Sequence, residues 1–326
     1  MDDKQFLPNV PAHTSAACQS MTTGGGDIKC RRVCAIVVTY FPDHDFAGRM
    51  RSIGDESDVL IVWDNTPTPG CPPAIEAVMH SPKSTVLRTG ENFGIASAVN
   101  RAMSWAAVHG FEWAVILDKD STPLPGMLRQ ALSAYLEYEG AKPVAVIGAR
   151  CIDVNTGLRN RVETHIENKR CHEATTVQTS GSLVNIQTFL SIGGYREEFF
   201  IDEVDHEFCL RARAKGYVVL MSNMVTMYHT LGQAQQVRTQ LGTCYTFNYP
   251  AFRHYYMMRN LMTLVPKYLA KEPRWILRSL ISRLKSIVKV VLFEGEKSSK
   301  LGMFSLGVFH GLFGIMDRSP QQKTGK

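Results

Sequence analysis

Apolar residues in this chain fall into two kinds of run. Short, unbroken stretches rich in β-branched residues occur at 33–41 (VCAIVVTYF), 58–65 (DVLIVWDN), 112–120 (EWAVILDKD) and 144–153 (VAVIGARCID). Such runs predict strands buried on both faces. STVLRTG at 84–90 is a shorter strand of the same kind. Between them the spacing becomes helical, at 43–57, at 95–109 with Gly110 as the stop, and at 125–140. Strands alternating with helices at this interval predict a parallel, doubly wound α/β sheet, with ligands gathered at the carboxyl ends of its strands. Beyond residue 153 the pattern is less regular. It predicts a strand at 180–186, a Gly-Gly turn, a helix from 204 to 215 stopped by Gly216, and a strand at 217–223. From about residue 252 it turns to basic helices with wide apolar stripes. One stripe runs through Trp275, Ile276, Leu280, Ile281, Leu284, Ile287, Val288 and Val291. Such a face either packs on the domain as a capping helix or lies in a membrane interface.

That pattern gives meaning to certain polar residues. Thr39-Tyr40, Asp64-Asn65 and Asp118-Lys119-Asp120 all end predicted strands, so a parallel sheet brings them to one rim. Two carboxylates one residue apart repel unless solvent screens them or a cation sits between them. Hard divalent ions prefer such oxygen ligands and bridge phosphates. Asp64 is placed to accept from a nucleobase or ribose, or to form an Asx turn before Pro67. The loop TGENFGIASAVNRA at 89–102 puts Asn92 and Gly94 where a helix begins, which allows close approach of an anionic ligand or marks an ordinary glycine turn. FFIDEVDHEF at 199–208 packs Asp202, Glu203, Asp205, His206 and Glu207 beside aromatics, a setting that raises carboxyl pKa values and suits a general base. Glu207 and Arg211 are spaced for an exposed i,i+4 ion pair. His229 follows a strand and is either a third metal ligand or a structural histidine. There is no G-x-G-x-x-G after the first strand and no GxxxxGK[ST], which disfavours dinucleotide-binding and P-loop enzymes.

Composition changes this picture little. Apolar residues make up 44% and charged residues 20%, as in a globular protein, and a net charge of +6 does not argue for nucleic acid. From residue 253 onward Lys and Arg outnumber Asp and Glu more than three to one, a surface suited to phosphates or an anionic membrane. Eight cysteines without a CxxC pair predict neither a zinc site nor a disulfide framework, and point to a reducing cytoplasm. Residues 1–30 lack the pattern of a signal peptide and read as a flexible polar arm. No run is long enough for a transmembrane helix.

Taken in order, AIVVTYF, VLIVWDN, ENFGIASAVNRA, VILDKDS, SGSLVNIQTFLSIGGYREEFFIDEVDHEFCLRARAKGY and YHTLG resemble family 2 glycosyltransferases of the GT-A fold. Within that family DKDS, FFIDEVDHEF and RHYYMMRN look most like bacterial rhamnosyltransferases, those of rhamnolipid synthesis in particular. The resemblance implies a GT-A domain at 31–232, with a mixed sheet, and a basic helical region at 233–326. It implies inverting transfer from a nucleotide-activated sugar, dTDP-L-rhamnose, to a lipid-linked sugar acceptor such as mono-rhamnolipid, or alternatively to a polyprenyl-linked glycan. It also implies a divalent metal, Mg²⁺ or Mn²⁺, and peripheral attachment at the cytoplasmic membrane face. By position, Tyr40 and Asp64 would line the nucleoside pocket, and Asn92 and Gly94 would lie against the nucleotide sugar. Asp118, Asp120 and His229 would hold metal and diphosphate. Asp205 would be the base, with Asp202 and Glu207 still open because Val204 stands where many relatives carry Glu. Arg253, Tyr255, Tyr256 and Arg259 would meet diphosphate or acceptor. A nucleotidyltransferase would show a Gly-rich basic loop after the first strand, which TYFPDHDF lacks. A non-catalytic sugar-binding protein would not need Asp118, Asp120, Asp205 and His229 together.

Overall fold

The computed structural model describes residues 32–157, 169–230, 234–239 and 242–316. The polar arm expected at 1–30 lies outside the described residues. The first half alternates as expected: β1 (Val33–Thr39), α1 (Phe46–Glu56), β2 (Val59–Asp64), α2 (Pro73–Met79), β3 (Ser84–Arg88), α3 (Gly94–Val108), β4 (Trp113–Asp118), the two-residue β5 (Thr122–Pro123) and α4 (Met127–Leu136). Next come β6 (Val144–Asp153), β7 (Cys171–Glu173), β8 (Ser182–Asn185), α5 (Ile186–Ile192), α6 (Val204–Ala214) and β9 (Val218–His229). A hairpin of β10 (Gln235–Thr239) and β11 (Gly242–Thr246) leads into α7 (Ala251–Tyr268), α8 (Pro273–Phe293) and α9 (Lys297–Leu312).

The main sheet has the order β3-β2-β1-β4-β8-β6-β9-β5. β1, β2, β3 and β4 pair in parallel, whereas β8 runs antiparallel to both β4 and β6. The parallel alternation therefore holds for the first half and breaks at β8, giving the mixed sheet of the GT-A resemblance. Both faces are covered, as the unbroken apolar runs require. Cys34, Ile36 and Val38 of β1 face a core with α3, α5 and α6, while Val33, Ala35 and Val37 face α1, α2 and α4. Pattern reading missed α2, whose Pro-rich start looked like a turn, and the short strands β5, β7, β10 and β11.

The C-terminal helices pack against this core through Leu264, Tyr268 and Ile276. No helix among the described residues is long and apolar enough to cross a membrane. The apolar stripe expected on α8 splits into two rows. Ile276, Leu280, Ile287 and Val290 join the core clusters, but Leu277, Ile281, Leu284, Val288 and Val291 are 43–61% exposed. On α9, Gly307 and Gly311 let the helix lie directly on α7. A Cβ at either would stand 2.5 Å from a backbone oxygen, that of Tyr255 or of Arg259. Because backbone cannot yield as a side chain can, Gly307→Val is expected to lower the melting temperature by several degrees, on the order of 1–3 kcal/mol of overpacking. Scanning calorimetry checks this, and an unchanged melt would contradict the packing described.

Candidate active site

Strand register places the acids. Thr39 pairs with Asp64 and Val38 with Asp118, so both aspartates end at the same rim on either side of β1. His229 ends β9 beside Asp153 of β6. Asp118, Asp120 and His229 bring one ligand atom each to within 4.8 Å of one another. The imidazole Nδ1 of His229 lies 3.5 Å from Asp120 Oδ1 and 3.1 Å from Ser121 Oγ. Ser121 Oγ is 2.6 Å from Ser180 Oγ, which accepts from the Asp118 backbone N–H at 3.1 Å. Burial, followed by the charge of Asp120, raises the Asp118 pKa to about 6. That is the repulsion expected from the sequence, and His229 offsets it in part. Two carboxylates and an imidazole form a donor set that fits a divalent cation, whose charge would relieve this strain. Lys119 turns away and donates to the carbonyls of Tyr40 and Phe41, tying β4 to the β1 rim.

The residues assigned to the nucleotide behave differently. Tyr40 is 45% exposed at the rim, whereas Asp64 is fully buried. Asp64 Oδ1 accepts from Thr39 Oγ1, Thr66 N and Thr66 Oγ1, and Oδ2 pairs with Arg88 Nε at 3.1 Å. The Asx turn is thus formed, and both carboxylate oxygens are engaged within the protein. Asn92 Oδ1 accepts from Gly94 N at 2.9 Å, and Asn65 Nδ2 donates to Gly94 O at 3.1 Å. Gly94 is needed because φ is +81° and a Cβ would sit 2.5 Å from the Phe200 ring. The close approach inferred from sequence is therefore made by the protein's own Phe200, whose carbonyl also accepts from Ile95 N at 2.8 Å.

The segment carrying Phe200 is unusual. Phe200, Asp202 and Glu203 have φ near +60°, a left-handed conformation that non-glycine residues seldom adopt. Its acids are held in four ways. Asp202 takes Arg253 Nε at 3.0 Å and Nη2 at 3.1 Å. Glu203, 4% exposed, takes His206 at 2.7 Å and Arg283 of α8. Burial pushes the Glu203 pKa up, but these two cations outweigh it and hold it at about 2. The raised value expected for acids beside aromatics is thus reversed here. His206 shows the mirror effect: burial lowers its pKa, and Asp205 and Glu203 more than compensate, to about 9. Glu207 and Arg211 do pair at 2.8 Å, yet Glu207 is buried, so the pair is internal rather than exposed. Asp205 differs from its neighbours: its carboxylate accepts from backbone, Thr179 N at 2.9 Å and His206 N at 2.8 Å. Tyr256 and Arg259 are fully buried. The Tyr256 ring stacks on Phe200, and Arg259 Nη2 donates to the carbonyls of Glu198 and Phe199. Tyr255 is buried as well and bonds His310 of α9. All three are engaged within the protein, and Tyr256 and Arg259 also line a cavity with Phe93, Arg101 and Phe200. Sequence reading missed Arg88, Ser180, Asn260 and Arg283, of which Ser180 and Asn260 had a local signal, standing within SGSLVNI and RHYYMMRN.

A parallel half-sheet with acids at its rim, joined through the antiparallel β8 to β6 and the histidine-bearing β9, is a fold of GT-A type. Residues 36–194 match the family model Glycosyl transferase family 2, and the protein is a glycosyltransferase. It is 25% identical over 293 residues to the dTDP-rhamnosyl transferase RfbF of Shigella flexneri, covering 87% of this chain and 95% of that protein. Two solved structures share the fold. TarS 1-349 of S. aureus in complex with UDP-GlcNAc matches with TM-score 0.56 at 14% identity, over 87% of this chain and 83% of that one. GalNAc-T7 with UDP, GalNAc and Mn²⁺ matches with TM-score 0.56 at 12% identity, over 90% and 59%.

Cation binding requires Asp118 to lose its proton. Mn²⁺ is therefore expected to raise the melting temperature at pH 7.5, with the shift fading as pH falls through about 6. Without metal the sign is opposite. The fold favours protonated Asp118, so its stabilising contribution is full below about pH 4 and lost as pH rises through about 6. Thermal shifts with and without Mn²⁺ on wild type and Asp120→Asn check this. A shift equal at pH 5 and 7.5, or retained in the variant, would exclude this cluster as the site.

Proposed function

We propose that the protein transfers L-rhamnose from dTDP-L-rhamnose to a hydroxyl of a lipid-linked sugar acceptor, with inversion at the anomeric carbon. The donor reading is supported by the 25% identity to a dTDP-rhamnosyl transferase along nearly its whole length. The site reading rests on one observation: consecutive residues join the two halves of the chemistry. Thr179 N–H donates to Asp205, and Ser180 Oγ accepts from the backbone of Asp118. The backbone donor to the proposed base thus sits one residue along the chain from the side chain that supports the acid cluster. Asp202 and Glu207 are tied to guanidinium groups, which leaves Asp205 as the acid best placed to accept a proton.

In this mechanism Asp205 takes the proton of the acceptor hydroxyl, and that oxygen bonds to the anomeric carbon. The bond from that carbon to the diphosphate oxygen breaks on the opposite face, and dTDP leaves with the electron pair. A divalent ion held by Asp118, Asp120 and His229 would neutralise the charge growing on the diphosphate. Tyr40, exposed at the β1 rim, would line the nucleoside pocket, while Asn92 would shape the loop against the nucleotide sugar. Asp64 acts by organising that rim through Thr39, Thr66 and Arg88. Arg253, 31% exposed on its side chain, is the C-terminal cation best placed to meet the donor or acceptor.

The acceptor reading draws on α8 and α9. The exposed row Leu277, Ile281, Leu284 and Val288 lies among Arg274, Arg278, Lys285 and Lys289, and Phe309, Leu312 and Phe313 are exposed on α9 and just beyond it. An apolar stripe edged by cations suits the headgroup layer of an anionic bilayer, where a lipid-linked acceptor would be found. The full chain is expected to sediment with vesicles containing phosphatidylglycerol, and Ile281→Glu with Leu284→Glu to release it without changing the melting temperature. Equal sedimentation of both proteins would overturn the membrane reading.

Incubation with dTDP-L-rhamnose and mono-rhamnolipid, followed by mass spectrometry, is expected to show a gain of one deoxyhexose. Asp205→Asn is expected to lower transfer by at least 100-fold while leaving dTDP binding within twofold. Product with a polyprenyl-linked glycan alone would reassign the acceptor, and full activity of Asp205→Asn would reassign the base.

A further inference from the structure

The strained turn before Asp205 is held from one side by a single amide. Asn260, buried on α7, directs Nδ2 at three carbonyls of that turn, Phe199 at 3.1 Å, Ile201 at 2.9 Å and Asp202 at 2.7 Å. Its Oδ1 accepts from Arg259, from Nε at 3.0 Å and Nη2 at 2.8 Å. The charged donor fixes which end of the amide faces the turn and polarises the N–H bonds. The same guanidinium reaches the carbonyls of Glu198 and Phe199. Three carbonyls converge on one donor because φ is positive at Phe200, Asp202 and Glu203, which curls the backbone around the amide. Left-handed residues of this kind persist only where surroundings over-determine them. Asp205 begins two residues after the last of them, in the first turn of α6.

We propose that Asn260, oriented by Arg259, is a positioning residue for catalysis: it clamps the 199–203 turn and so sets where the Asp205 carboxylate stands. This rests on Asp205 being the base. An aspartate at 260 would set a carboxylate oxygen, which has no proton to donate, against three carbonyl oxygens, so it should be worse than alanine despite its matching size.

The test uses the full chain with Asn260→Ala and Asn260→Asp. Amide hydrogen exchange, which needs no substrate, is expected to rise at least tenfold in peptides covering 199–206 while β1, β2 and β4 keep wild-type protection. Turnover of dTDP-L-rhamnose is expected to fall 10- to 100-fold in kcat, further for the aspartate variant, with KM for the donor and binding of dTDP within twofold. Unchanged exchange at 199–206 would overturn the clamp whatever the activity. Exchange rising equally throughout the chain would show a general structural role instead. Local loosening with kcat unaltered would show that the turn does not set the base. If wild type turns over no dTDP-L-rhamnose, the exchange result still decides the clamp and the donor assignment fails separately.

Discussion

The hydrogen-bonded register of β1 between β2 and β4 is the constraint on which the rest depends. Because the period of a strand is two, a slip of one residue would send Asp64 or Asp118 to a different height and exchange the faces of every apolar neighbour. Register is secured by burial on both sides, with alternate residues of β1 committed to separate cores. A rim defined that firmly can carry like charges that would disperse on a loop.

Those charges are then distinguished by their partners. Asp64 is closed by hydroxyls and Arg88, Asp202 by Arg253, Glu203 by His206 and Arg283, and Glu207 by Arg211. Each buried or half-buried carboxylate with a cation becomes scaffold, since breaking such a pair leaves an uncompensated charge. Asp118 and Asp120 instead cluster with His229, and Asp205 accepts from two backbone N–H groups, so none of these three is closed by a guanidinium.

The alternation of buried strands and helices in the first half was legible in the sequence because double-sided burial leaves an unmistakable apolar run. The convergence of Asp118, Asp120 and His229 followed from strand ends and family resemblance together. What stayed hidden depends on contacts distant in sequence. Arg283 lies 80 residues from Glu203, and nothing in an amphipathic stripe marks one arginine as an internal counter-charge. The two rows of α8 were merged because a stripe shows that a helix is apolar on one side, not how much of that side finds a neighbour. Gly94 left a ligand's approach and an ordinary turn both open, since a glycine reports close approach without saying by what.

The meeting of Gly94 with Phe200 couples two segments that lie far apart in the chain. The loop at 92–95 and the turn at 199–203 touch through a glycine with no room for a side chain, and the Ile95 N–H bonds across the junction. A side chain added at Gly94 must therefore displace the turn at Phe200 as well. With the Asn260 amide behind it, the turn thus joins three pieces separated along the chain, so that a change of shape in any one is felt by the other two.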